Sequence, residues 1–181
     1  MKTARLDLVN EHQAIQVALN ILERMKEKVE TNEEADFSEI NELIEFLKEF
    51  ADKCHHGKEE GFLFPALEKA GIKKEGGPIG VMLTEHEKGR RFIKAMQMSV
   101  NAGQAGSSGF VEAASGYLNL LRVHIMKENT ILFPQIEARL SEHEQKELLE
   151  AFENHEEKVI GQGRHEELHR MLEKFEKKYL I

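Results

Sequence analysis

The sequence predicts an all-α fold, a four-helix bundle with an additional C-terminal helix, and three observations carry that expectation. Apolar residues recur at steps of three and four along nearly the whole chain, and no segment alternates with the period of two that a strand requires. Clusters of Gly, Pro, Ser and Asn cut the pattern into long pieces. A motif of eleven residues beginning at His55 returns 69 positions later at His124, so two of those pieces carry the same local design.

The first helix is expected from about Leu6 to Val29, with Leu8, Ile15, Leu19 and Leu22 on the stripe that also holds His12. The second opens at Asp36, which with Glu39 can form a capping box, and continues through Leu43, Leu47, Ala51, His55 and Glu59 towards Ala70, where Gly71 stops it. Gly76-Gly77-Pro78 starts the third, whose stripe of Ile79, Met82, Gly89, Ile93 and Met96 includes His86. Residues 101 to 109, rich in Gly, Ser and Ala, read as a flexible connection to a fourth helix from about Phe110 to Leu140. Ser141 and Glu144 form a second capping box for a fifth helix to about Ile160. Gly161 and Gly163 then interrupt the pattern before a last helical stretch. Pro65 and Pro134 fall at equivalent places inside helical patterns and predict matched kinks just past Glu59 and Glu128. The chain of 181 residues reads as one domain, a bundle over about 3–140 followed by a helical extension over about 141–181.

Composition narrows the function classes. The formal net charge of -8, without a basic stretch to offset it, argues against nucleic acid and anionic membrane surfaces as partners. No apolar run is long enough to cross a bilayer, and the polar start from Met1 to Asp7 does not resemble a signal peptide, so a cytoplasmic location is expected. The single cysteine, Cys54, excludes an internal disulfide and reads as a small buried thiol.

The chemistry lies in the histidines and glutamates. His55 and Glu59, and again His124 and Glu128, are four apart, which on a helix stacks both side chains on one face within reach of one ion. Upstream of each pair stands a lone histidine after a glutamate, Glu11-His12 and Glu85-His86. In a bundle all four histidine stripes face one interior. Burying two carboxylates and four imidazoles there without countercharge would cost several kcal/mol per ion. Bound cations remove that objection, so His12, His55, Glu59, His86, His124 and Glu128 are expected to hold two metal ions. The absence of thiolates disfavours structural zinc of the cysteine-rich kind, and the nitrogen donors disfavour magnesium and calcium. Two histidines and a carboxylate per half favour non-haem iron, with zinc or manganese as the fallback. With the glutamates bridging and an oxide or hydroxide bridge added, about two of roughly twelve coordination positions remain for a small ligand.

This ordered set, with Leu-Phe-Pro after each motif glutamate and Glu85-His86-Glu87-Lys88-Gly89-Arg90 on the third helix, resembles the hemerythrin-like (HHE cation-binding) domains over roughly residues 3 to 160. The resemblance implies an up-down-up-down bundle around a di-iron centre bridged by the glutamates. The chain departs from the oxygen-carrying members, which have two histidines four apart on the third helix, where Met82 and Arg90 flank His86 here. Those members also have an aspartate five residues after the last histidine, at the position of Asn129. Its four-histidine pattern is closer to iron-sensing and iron-centre-repair members.

The expected function is therefore a di-iron protein that binds or senses oxygen or nitric oxide. The alternative is a di-iron enzyme or iron donor acting in nitric oxide or peroxide stress and repair of iron centres. A structural metal bundle serving as an interaction module is the third reading. His56 and Glu60 follow the motif residues by one helical step of about 100° and are expected to turn away, to the surface, with completing a coordination sphere or orienting a ligand as the lesser reading. His155 is expected to pack against the bundle, with a metal role as the lesser reading, His165 and His169 to lie on a solvated face that could bind stray metal, and Tyr117 to belong to the core.

Overall fold

The computed structural model describes residues 2–181, so Met1 of the expected polar start lies outside it. Among the described residues every regular element is a helix, and they form an up-down-up-down bundle of four rods with a C-terminal helical extension. The first rod is α1 (Ala4–Glu30), started by the Thr3 hydroxyl, which accepts from the Leu6 amide at 3.1 Å. The second joins α2 (Phe37–Phe46), π-helical stretches Leu47–His56 and Glu59–Leu63, and α3 (Phe64–Lys69). The third is α4 (Pro78–Asn101). The fourth joins α5 (Ser107–Lys127), a π-helical stretch Glu128–Leu132 and α6 (Pro134–Arg139). Helices α7 (Glu142–Val159) and α8 (Gln162–Tyr179) pack against α1, and α7 also touches the second rod.

Several local expectations change. Asp36 caps α2 through the amides of Ser38 and Glu39, but the Glu39 side chain does not close a capping box. It is drawn away to accept from Lys178 and Tyr179 at the end of α8. Ser141 and Glu144 do form theirs. The connection expected at 101 to 109 is mostly helical: α4 reaches Asn101, a tight 3-10 turn spans Gly103–Gly106, and α5 begins at Ser107. Gly161 breaks the extension with φ of 78°, a left-handed conformation that a side chain disfavours.

The two prolines have a more specific effect than a kink. Each sits one residue after a widened turn in which an amide reaches back five residues, Phe64 to Glu59 and Phe133 to Glu128. A proline has no amide to donate, and its ring crowds the carbonyl four residues earlier. One extra residue in the turn takes up that misfit. The longer π-helical run from Leu47 to His56 likewise gives each residue less rotation than an α-helix does, which bears on where His56 points.

The apolar interior is divided in two. One cluster is built on Ile15, Leu19, Leu22, Leu47, Phe50, Met96, Phe110 and Leu121. The other is built on Leu8, Leu63, Phe64, Leu67, Met82, Phe133, Ile136 and Phe152. Every bundle rod passes from one cluster to the other through a histidine: His12 lies between Leu8 and Ile15, and His86 between Met82 and Ile93. The polar layer thus lies between two dry layers. Helix α7 joins the second cluster through the fully buried Phe152. Phe152→Ala is expected to lower the unfolding free energy by about 3–5 kcal/mol, measured by chemical denaturation, because the ring leaves a cavity under α7.

Candidate metal centre

Each half of the chain positions its histidines by the same rule. His55 Nδ1 donates to Glu11 at 2.8 Å, and the repeat-equivalent His124 Nδ1 donates to Glu85 at 2.9 Å. His12 Nδ1 donates to the Asn129 side-chain oxygen at 2.8 Å, and His86 Nδ1 to Glu60 at 2.7 Å. Glu60 and Asn129 occupy equivalent places in the two motifs, directly after Glu59 and Glu128. The glutamate before each lone histidine therefore orients the motif histidine of its own half. The residue after each motif glutamate orients the lone histidine of the other half. Fixing Nδ1 in this way turns every Nε2 lone pair inward, the arrangement seen where a carboxylate orients a metal-bound imidazole.

The inward atoms converge. Glu59 puts Oε1 3.5 Å from His55 Nε2 and Oε2 3.3 Å from His86 Nε2. Glu128 puts Oε2 3.1 Å from His12 Nε2 and Oε1 3.2 Å from His124 Nε2. Each carboxylate thus spans the two halves. All four oxygens of the two carboxylates lack a hydrogen-bond partner, and both side chains are fully buried. His12 and His55 face each other Nε2 to Nε2 at 2.9 Å, and His86 and His124 at 3.2 Å. Two lone pairs at that distance repel unless a cation sits between them. Nitrogens roughly at right angles about one ion, each about 2.1 Å from it, would be about 3 Å apart, so the spacing fits a shared metal.

The predicted six residues come together, and a seventh joins them. His56 is buried, stacks on His86 with ring centroids 3.9 Å apart, and donates Nδ1 to Asp52 at 3.3 Å. Its ligand nitrogen gathers with those of His86 and His124 and an oxygen of Glu59, all within 4.8 Å of one another; His12, His55, Glu59 and Glu128 form a second such group. The expected surface place for His56 fails because the π-helical path rotates it less than an α-helical step would. The sequence did hold a signal, Asp52 four residues before it. Glu60 stays half-exposed, and it orients His86 and pairs with Arg90. His155 packs against the bundle as expected, bonded to the Lys53 carbonyl at 3.0 Å over Gly57. His165 and His169 are half-buried against Phe50 rather than on a solvated face, and Tyr117 is a core residue.

The electrostatics suit a cation. Burial pulls His55 and His56 well below the ordinary imidazole range, which keeps them neutral with lone pairs free. Burial, reinforced by the charge of Glu128, pushes Glu59 well above the ordinary carboxylate range. Burial also opposes ionisation of Glu128, but His124 and His12 outweigh it and hold Glu128 low. His124, opposed by burial but facing Glu128 and Glu85, rises to about 9. Without metal the layer thus holds protons that cations would displace.

Behind Glu11 lies the fully buried ammonium of Lys58, 2.5 Å from Glu11, 3.0 Å from Asp7 and 2.9 Å from Glu156 of α7. Lys127 pairs with Glu85 at the equivalent place. Cys54 groups with Glu11 and Glu156 in that region, and burial pushes its thiol up to about 12, so it stays protonated.

Two predictions follow from these contacts. Lys58→Ala is expected to cost about 3–5 kcal/mol in denaturant unfolding, because Glu11 is left buried without its countercharge. For Asp52 and Glu85, burial works against ionisation, but the hydrogen bonds from His56 and His124 and the nearby Arg90 and Lys127 outweigh it, so both carboxylates sit below their ordinary range. Such groups stabilise the fold above the unfolded carboxylate value of about 4 and lose that contribution as pH falls through their lower folded values. Unfolding free energy of the metal-free chain is expected to drop below about pH 4; a flat profile from pH 5 to 2 contradicts this.

Among known proteins, the chain is similar to an uncharacterized protein of Mycobacterium tuberculosis (strain ATCC 25618 / H37Rv) and to one of Mycobacterium bovis. Each is 26% identical over 165 residues, which cover 89% of this chain and 64% of the relative. The chain thus spans somewhat under two thirds of the length of these curated relatives. Residues 4–136, which hold all the histidines and glutamates of the buried layer, match the Hemerythrin HHE cation binding domain, and the chain belongs to that family.

Proposed function

We propose that the protein is a non-haem di-iron protein that binds or senses a diatomic ligand, oxygen or nitric oxide. The observation that carries this reading is the set of inward Nε2 atoms around two spanning, unpaired carboxylates. His12 and His55 would hold one iron, and His56, His86 and His124 the other, with Glu59 and Glu128 shared between them. Iron is preferred because the donors are nitrogens and carboxylates, and the one thiol groups with the Lys58 network instead. Iron so held would supply reversible binding of a diatomic ligand.

The group around His12 and His55 offers two imidazoles where the other offers three, so a small ligand would find more room beside His12 and His55. Its surroundings are dry: Phe133 stacks on His12 at 5.1 Å, and Leu8 and Ile15 lie along the same helix face.

Turnover of peroxide or nitric oxide is a second reading, favoured by a cleft that reaches the cluster at His56. Assays separate the two, since a binder returns its ligand unchanged and an enzyme consumes it.

Anaerobic reconstitution with Fe(II), followed by oxygen or nitric oxide, is expected to produce new visible absorption. His56→Ala is expected to alter that spectrum while leaving metal bound. An Fe(II) protein whose spectrum responds to neither gas contradicts the reading.

A further inference from the structure

A cleft of about 390 Å³ opens between the Leu47–His56 stretch and α4, and its wall includes His56 and Tyr117. Its size falls in the range of small-molecule sites. Ile93, Gly89 and the Tyr117 ring give it an apolar interior. Its charge runs against that of the molecule: Lys48, Arg90 and Lys94 line it against the one carboxylate of Asp52, in a chain of net charge -8. Arg90 is committed to Asp52, Glu60 and Glu87, and Lys48 pairs with Glu45 at 2.7 Å. Lys94 has no ion-pair partner among the described residues.

Two polar groups of the wall are unanswered. The side-chain oxygen of Gln97 is buried without a hydrogen-bond partner. The hydroxyl of Tyr117, a residue only 2% exposed, has none among the described residues either. A buried polar group left alone costs roughly 1–3 kcal/mol, so the enclosed Gln97 oxygen, with an unpartnered Tyr117 hydroxyl in the same wall, points to a ligand or to solvent that a ligand displaces. Gly89 keeps the space open: a Cβ there would meet only Leu121 and Tyr117, at 3.6 and 3.7 Å, so a longer side chain must extend into the cleft.

We propose that this cleft binds a small organic acid of about one ring, its carboxylate at Lys94 and Lys48, its apolar body on Ile93 and Gly89, and a hydroxyl or similar group towards Tyr117 and Gln97. The site abuts His56 and so brings an organic molecule to the edge of the buried layer. Its occupancy does not depend on which metal that layer holds.

The test is titration of the metal-loaded 181-residue chain with benzoate and with 4-hydroxybenzoate, followed by protein NMR or calorimetry. Saturable one-to-one binding below about 10 mM is expected, tighter for 4-hydroxybenzoate. Gly89→Leu is expected to weaken binding roughly tenfold or more by filling the cleft, and Lys94→Glu, on an exposed side chain, to weaken it severalfold. Benzyl alcohol, which lacks the charge, is expected to bind more weakly than benzoate. No saturable binding of either acid would overturn the proposal, as would binding unmoved by both substitutions or benzyl alcohol binding as tightly as benzoate. Because the readout is the protein rather than the metal spectrum, these outcomes stand apart from any failure of the iron reading.

Discussion

The constraint on which the rest depends is the enclosure of two carboxylates without hydrogen-bond partners, and of imidazole lone pairs, between two apolar layers. An ionised carboxylate removed from water loses several kcal/mol that no neutral neighbour restores. The chain nevertheless builds the layer with care. Each imidazole is held at Nδ1 by an oxygen, so each neutral ring turns an acceptor nitrogen inward, where no donor of the protein answers it. Such a layer is organised for cations, and the helices, caps and packed phenylalanines around it serve to keep it dry and in register.

The repeat explains how a chain of this size builds such a layer. Glutamate before the lone histidine, lysine three residues after the motif histidine, and the residue after the motif glutamate all recur at the same spacing. In both halves they form the same contacts. Lys58–Glu11–His55 and Lys127–Glu85–His124 are two copies of one relay. The copies differ in depth. Lys58 is fully buried and reaches Glu156, so the C-terminal extension is tied by charge to the half that holds His55, whereas Lys127 stays half-exposed. His56 has Ile125 as its counterpart, and this one difference makes the layer asymmetric.

Much of this was legible in the residues. The period of three and four placed the helices, the Ser141 box and Gly161 marked the extension, and the spacing of His55 with Glu59 and His124 with Glu128 located the layer. What escaped shares one cause. An α-helical wheel sends His56 outward, and the π-helical stretch that brings it inward depends on packing along Leu47–His56, which a local pattern does not encode. Glu39 likewise left its capping box for a partner at the far end of the chain, Lys178 and Tyr179, contacts that exist only once α8 has docked. The orienting carboxylates stood in plain sight beside the histidines, yet adjacency in sequence hid that Glu11 serves His55 rather than its neighbour His12.

Elemental analysis of the natively purified chain, paired with its mass under non-denaturing conditions, tests the central claim most directly. The account predicts two transition-metal ions per chain, both lost when Glu59 and Glu128 are together replaced by glutamine. A chain that carries no metal and keeps an unchanged melting temperature after reloading with Fe(II) would contradict it.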